Sequence, residues 1–127
     1  MDDPTMRRLL ESSHTIAVVG LSDKPERDSH EVARYLIAAG YRVIPVNPMV
    51  SEVLGLRSYP SLSAIPEEIP IDIVDIFRRS SEVEPVVREA LGRHPHAVWM
   101  QLGVENTAAA ALARSNGVQV LENLCIM

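Results

Sequence analysis

Thr15-Ile-Ala-Val-Val-Gly20 is apolar at every position between its ends. A strand with one face in water alternates polar and apolar residues, and this run does not. Both faces must therefore be covered, as in the interior of a parallel sheet. Parallel strands cannot be joined by a tight turn. Each needs a crossover, usually a helix packed on the sheet.

The rest of the chain supplies those crossovers. Strands are expected at residues 15–20, 41–46, 71–77, 97–102 and 118–121, and helices at 29–39, 81–91 and 104–116. In the first of these helices Val32, Ala33, Leu36 and Ile37 fall at helical spacing, and Gly40 closes it. Gly92 and Gly117 follow the other two. A leading helix is expected at residues 5–13, with Thr5 as its N-cap. Residues 52–65 read as irregular, holding Gly55 and Pro60 and ending in a short helix at 61–65. The expected fold is α/β: a three-layer, doubly wound, mostly parallel five-stranded sheet. The 127 residues suffice for one domain with its own core.

Ligands on such sheets lie beyond the carboxyl ends of the strands, where the strand order reverses. That rule selects four loops: residues 20–29, 47–49, 77–80 and 101–106. In the first, Ser22, Lys24, Arg27 and Ser29 can donate to phosphate oxygens. Gly20 permits close backbone approach, and the helix behind it presents unpaired N–H groups. Ser29 reads as the N-cap of that helix. The alternative is a solvated loop with a routine cap. Only Gly20 of a Gly-x-Gly-x-x-Gly pattern is present; Ser22 and Pro25 stand where the other glycines would fall.

Strand two ends in Asn47-Pro48, where a dinucleotide site usually has an acid for the ribose hydroxyls. An amide suits a ligand with phosphate near the ribose; Asn-Pro is equally a good turn. Phe77 reads either as a stacking surface for adenine or as core, and Arg78 and Arg79 either as phosphate partners or as solvated charges. Asp72 and Asp75 are three apart, so within a strand they face opposite sides and make a poor acid–base pair. Gln101, Gly103 and Asn106 face the same rim, with Glu105 and Asn106 near a helix start. Trp99 reads as core. His30, in the first turn of a helix, reads as exposed or as touching a ligand. His94-Pro-His96 lacks a third metal ligand and reads as a surface turn. Cys125 reads as an inert buried thiol or as one meeting a ligand thiol.

The composition excludes several classes. A net charge of −5 argues against nucleic acid, which needs a basic face. A single cysteine rules out an internal disulfide framework and fits a reducing cytoplasm. No apolar run approaches the ~20 residues of a membrane span, and the first residues are too polar for a signal peptide.

Taken in order, Val-Val-Gly-Leu-Ser22, Arg27 with Ser29-His30, Val-Ile-Pro-Val-Asn-Pro48, Gly55 with Tyr-Pro-Ser-Leu62, Asp-Ile-Phe-Arg-Arg79, Val-Trp-Met-Gln-Leu-Gly-Val-Glu-Asn106 and Cys125 resemble the small stand-alone CoA-binding proteins. These are similar to the CoA-binding domain of the succinyl-CoA synthetase α subunit. The resemblance spans residues 5–126 and implies a Rossmann-like fold holding coenzyme A, or acyl-CoA, in extended form. It implies that Gly20, Ser22 and Arg27 hold phosphates. Asn47, Pro48, Phe77 and Arg78 would line the adenosine side. Gln101, Gly103 and Asn106 would lie toward the pantetheine arm. The ligase relatives relay phosphate through a histidine in a second domain that these residues do not include. The resemblance therefore implies a cytoplasmic binder of a small molecule, without self-contained catalysis. Two other readings remain: an NAD-dependent oxidoreductase, and a module whose CoA-loaded form docks on an unidentified protein partner.

Overall fold

The computed structural model of the chain describes residues 3–127. Helix α1 covers Asp3–Ser12, strand β1 Thr15–Val19, α2 Asp28–Ala38 and β2 Arg42–Val46. A two-stranded hairpin follows, β3 (Glu52–Val53) with β4 (Leu56–Arg57), then β5 (Ile73–Ile76). Helix α3 is Val83–Leu91, β6 Ala97–Met100, α4 Thr107–Ser115 and β7 Gln119–Leu121. Short 3-10 turns occupy Leu62–Ala64 and Ser80–Glu82.

Five strands form one sheet in the order β2-β1-β5-β6-β7, every neighbouring pair parallel. Both faces are buried, as the unbroken apolar runs require. One face carries Ile16, Val18, Ile73, Ala97 and Trp99 and packs against Leu9 of α1 and Val32, Ala33 and Leu36 of α2. The other carries Ala17, Val19, Val74, Ile76, Val98 and Met100 and packs against Val83, Val87 and Ala90 of α3 and Ala109, Ala110 and Ala113 of α4. The sheet lies between two helical layers, in the Rossmann-like arrangement expected from the sequence.

Two sequence expectations about caps need correction. Helix α1 begins at Asp3, so Thr5 lies inside its first turn and its hydroxyl accepts from Arg8 Nη2 at 3.2 Å. Helix α2 begins one residue before Ser29, with Arg27 as N-cap; the Arg27 carbonyl accepts from the N–H groups of His30 (3.1 Å) and Glu31 (3.2 Å). The irregular stretch also hides a hairpin. Its central residues Leu54 and Gly55 both have positive φ (54° and 74°), the backbone a two-residue hairpin turn demands.

At the outer edge of the sheet, Pro45 of β2 accepts from Tyr59 N–H at 3.0 Å, and Tyr59 in turn accepts from Asn47 N–H at 2.9 Å. Within a strand a residue's N–H and C=O point the same way, so the donor that Pro45 lacks is one that would have faced outward. Below this edge, Arg93 donates to four carbonyls, those of Leu62, Ile65, Pro66 and Ile69, at 2.6–3.3 Å. This single guanidinium ties down the segment that returns the chain to β5.

Candidate functional site at the strand-order reversal

The chain runs outward from β1 to β2, then back past β1 to β5, β6 and β7. The reversal therefore falls between β1 and β5. Register places Val18, Asp75 and Trp99 in one row across β1, β5 and β6, and Val19, Ile76 and Met100 in the next. One step further, at the carboxyl ends, come Gly20, Phe77 and Gln101. Gly20 N–H donates to Val46 O and Phe77 N–H to Val19 O, both at 2.8 Å. Gly20 has φ +87°, and a Cβ there would stand 2.1 Å from the Phe77 carbonyl oxygen. The close approach that requires glycine is thus to the neighbouring strand.

Two open clefts adjoin at Phe77. The first, about 410 Å³, is lined by Gly20, Ser22, Lys24, Arg27, Asp28 and Ser29 together with Phe77. Its loop is folded by its own hydroxyls. Ser22 Oγ accepts from Lys24 N–H at 3.0 Å, and Ser29 Oγ accepts from Ser22 N–H at 3.0 Å. Ser29 is buried and serves as this clamp, not as the expected N-cap. His30, also buried, bonds through Nδ1 to the Ser22 carbonyl at 3.0 Å, so the reading of an exposed histidine is corrected. Leu21 is fully buried and pins the loop to the core. Among the described residues Lys24 and Arg27 have no ion-pair partner, and the N–H groups of Asp28 and Ser29 at the start of α2 have no hydrogen-bond partner. The cleft presents two cations, one opposing carboxylate from Asp28 and the positive end of a helix.

The second cleft, about 510 Å³, is lined by Phe77, Arg78, Arg79, Glu82, Gln101, Leu102 and Val104. Arg79 and Glu82 form an exposed pair at 3.8 Å. The floor is stapled by amides. Gln101 Oε1 accepts from Ile126 N–H at 3.2 Å. Asn106 is the N-cap of α4: its Oδ1 accepts from Ala109 N–H at 2.9 Å, and its Nδ2 donates to Ser80 O at 2.9 Å. Gly103 (φ +86°) donates its N–H to Asn123 Oδ1 at 2.7 Å. Residues 122–127 close over this side, with Leu124 N–H on Met100 O at 3.2 Å and Trp99 Nε1 on Leu124 O at 2.8 Å.

A loop with unpaired cations on a helix N-terminus, meeting a less polar cleft at the strand-order reversal, is a geometry many nucleotide binders share. Comparison with known proteins narrows it, because residues 14–127 match the CoA binding domain family. The chain belongs to that family. Uncharacterized protein YneT of Bacillus subtilis (strain 168) is 42% identical over 121 residues, covering 95% of this chain and 88% of its own. A solved structure of a hypothetical protein from Pyrococcus horikoshii OT3 is 38% identical, with a TM-score of 0.96 over 100% of this chain and 88% of that one. The dinucleotide-forming acetyl-coenzyme A synthetase 1 of Ca. Korarchaeum cryptofilum, solved with phosphate and ADP, is 28% identical. Its TM-score is 0.78 over 93% of this chain, which spans only 27% of that protein.

Within this CoA binding domain, the expected site residues divide by position. Gly20, Ser22, Lys24, Arg27, Ser29 and Phe77 line the first cleft, and Phe77, Arg78 and Gln101 the second. Gly103 and Asn106 build the loop behind it. Asn47, Pro48 and Cys125 line neither. Asn47 bridges two rim loops instead, its Nδ2 on Leu21 O at 3.0 Å and its Oδ1 accepting from Met49 N–H at 2.8 Å. Those bonds support the turn reading. Cys125 is half-buried against the core face that holds Trp99, surroundings that suit an inert thiol. Asp72 lies at the opposite end of the sheet, where its Oδ2 accepts from His14 and Thr15 N–H at 2.8 and 3.0 Å. His96 stands beside it at 3.9 Å. Among the described residues no cluster of His, Cys, Asp or Glu is arranged to hold a metal.

Sequence reasoning missed Asp28, Leu102 and Val104 as cleft residues. It also missed Asp75, read as half of a poor acid–base pair with Asp72 but found unpartnered in the middle of the sheet. Asp75 is fully buried, two rows beneath Phe77, and neither carboxyl oxygen has a hydrogen-bond partner. Burial pushes its carboxyl well above the ordinary range, so the neutral acid is favoured. Among the described residues, no helix is long and apolar enough to cross a membrane.

Proposed function

We propose that this domain binds coenzyme A, free or acylated, in extended form across the strand-order reversal, and supplies no chemistry of its own. The observation that carries the reading is the meeting of the two clefts at Phe77. CoA is anionic at one end and amide-rich and thiol-tipped at the other. The first cleft suits the phosphates: Lys24 and Arg27 are unpaired, Ser22 can donate through its hydroxyl, and α2 aims its amino end there. Its net charge stays positive despite Asp28. The second cleft, with Phe77, Val104 and Leu102, suits the pantetheine arm. Arg78 lines the second cleft next to Phe77 and adds a cation there. Two phosphate contacts at roughly 1.5–3 kcal/mol each sum to about 3–6 kcal/mol, on the order of the ~4 kcal/mol of a millimolar complex.

Calorimetry with CoA and dephospho-CoA tests this. CoA is expected to bind saturably, and dephospho-CoA more weakly if the ribose phosphate is read. No heat with either compound removes the reading. NADH serves as a control: tighter binding of NADH than of CoA would transfer the site to a dinucleotide.

A further inference from the structure

Away from the two clefts, one strand carries an unanswered pair of backbone groups. β2 is the outer strand of the sheet and is paired on one side only, to β1. Arg42 N–H donates to His14 O and Val46 O accepts from Gly20 N–H, both at 2.8 Å, so residues 42, 44 and 46 face β1. Val43 and Pro45 therefore turn their backbone groups outward. Pro45 has no N–H, and its carbonyl accepts from Tyr59. Val43 has both groups, and neither has a partner among the described residues, although Val43 is only 4% exposed. Buried backbone groups left in this way are uncommon and costly. Val43 lines a groove of about 280 Å³ along this edge. The groove has apolar walls from Tyr41, Leu54, Leu56, Tyr59 and Ile69, and the only charges lining it are Arg42 and Arg57. Neither arginine is in an ion pair among the described residues. Arg57 lies over the Tyr59 ring at 5.1 Å, and its cross-strand neighbour Glu52 does not line the groove. Stacking uses the face of the guanidinium and leaves its N–H edge for an anionic oxygen.

We infer that this groove holds the carboxyl-terminal end of an extended apolar peptide from a partner protein. A short stretch of extended backbone answers Val43 with one C=O and one N–H, as in strand addition. Pairing cannot continue past that residue, since Tyr59 closes the edge at Pro45. A guest chain that pairs so briefly and meets two free guanidinium groups is one that ends there in a carboxylate. The apolar walls select aliphatic side chains beside it. The groove shares no lining residue with either cleft, so the inference stands apart from the CoA reading.

Isothermal titration of the full chain with N-acetyl-valyl-leucine, and with the same dipeptide amidated at its carboxyl end, tests the assignment. The free acid is expected to bind about tenfold more tightly than the amide, or better. Methylating both amide nitrogens of the acid is expected to weaken it by about fivefold, because the Val43 carbonyl then loses its donor. In the double variant Arg42→Gln, Arg57→Gln, acid and amide are expected within about twofold of each other. Its unfolding midpoint should not move, since both side chains are exposed. Excess CoA is expected to leave the titration unaltered. Equal affinity for acid and amide in the unaltered protein, or no binding of either, overturns the inference. Displacement of the acid by CoA also overturns it, by moving the carboxylate to the cleft of Lys24 and Arg27. A dimer in sedimentation that Arg57→Glu disperses and the acid does not assigns this edge to a second copy, and likewise overturns the inference.

Discussion

A methyl group on Gly20 would meet the Phe77 carbonyl oxygen at 2.1 Å, with φ at +87°. Gly20→Ala is therefore expected to cost at least about 2 kcal/mol, from the left-handed backbone and the forced separation of two strands. Chemical denaturation would measure it, and an unchanged midpoint would refute the argument. The sequence marks this glycine correctly but gives it the wrong neighbour in view: the contact crosses to a residue 57 positions away, which no local pattern displays. Asp75 was hidden for a similar reason. An acid near the end of an apolar strand looks like a rim residue until register shows it two rows inside. Its two unpartnered oxygens cost stability, so Asp75→Val is expected to stabilise the fold by about 1–3 kcal/mol. The sign of its pH dependence follows from the raised folded value. The stabilising neutral form is fully populated below the unfolded carboxyl's value near 4, and stability declines as pH rises from there toward the folded value, by up to about 1.4 kcal/mol per unit. Urea titrations at several pH values should show that slope in the natural protein and a flatter curve in Asp75→Val.

The loop between β1 and α2 shows how an element is made ready for an anion. Its hydroxyl oxygens and one histidine ring hold the loop's own backbone, which leaves the Ser22 O–H and the exposed lysine and arginine as the adjustable contacts. Lys24→Gln and Arg27→Gln are each expected to weaken CoA binding by about tenfold while the unfolding midpoint stays put, since neither side chain holds the fold. A shifted midpoint with unchanged binding would reverse those roles. The main strands and helices were legible because their apolar periods are long and their glycine stops clear; their ends moved by one to three residues where caps and 3-10 turns intervene. The hairpin was not legible: two-residue strands carry no period, and Leu54 is an unusual occupant of a left-handed turn position. The polar rim was half legible. Asn47, Gln101 and Asn106 sit where the strand-end rule puts them, yet their amides staple loops together, a use that only the partners' positions reveal.

At the scale of the molecule, the reversal divides the sheet into a β1–β2 half and a β5–β6–β7 half; the first cleft lies over the seam and the second beside it, at the ends of β5 and β6. A ligand spanning both clefts binds the folded chain only. At a hundred times its dissociation constant CoA is expected to add about 2.7 kcal/mol, or about 10 °C in the melting temperature of a domain this size. Differential scanning fluorimetry reads this directly, and no shift at saturating CoA would contradict a site made from both halves. The parallel sheet and its covered faces were implied by composition and period alone; the order of the strands, which fixes where the seam falls, needed the pairing itself. The outer margin of β2 has a further consequence. A neighbouring molecule that tried to lengthen the sheet there would find no donor at Pro45 and its acceptor already taken by Tyr59. The ribbon ends at that proline, so crowding of many copies has no continuous ladder on which to build a fibre from this side.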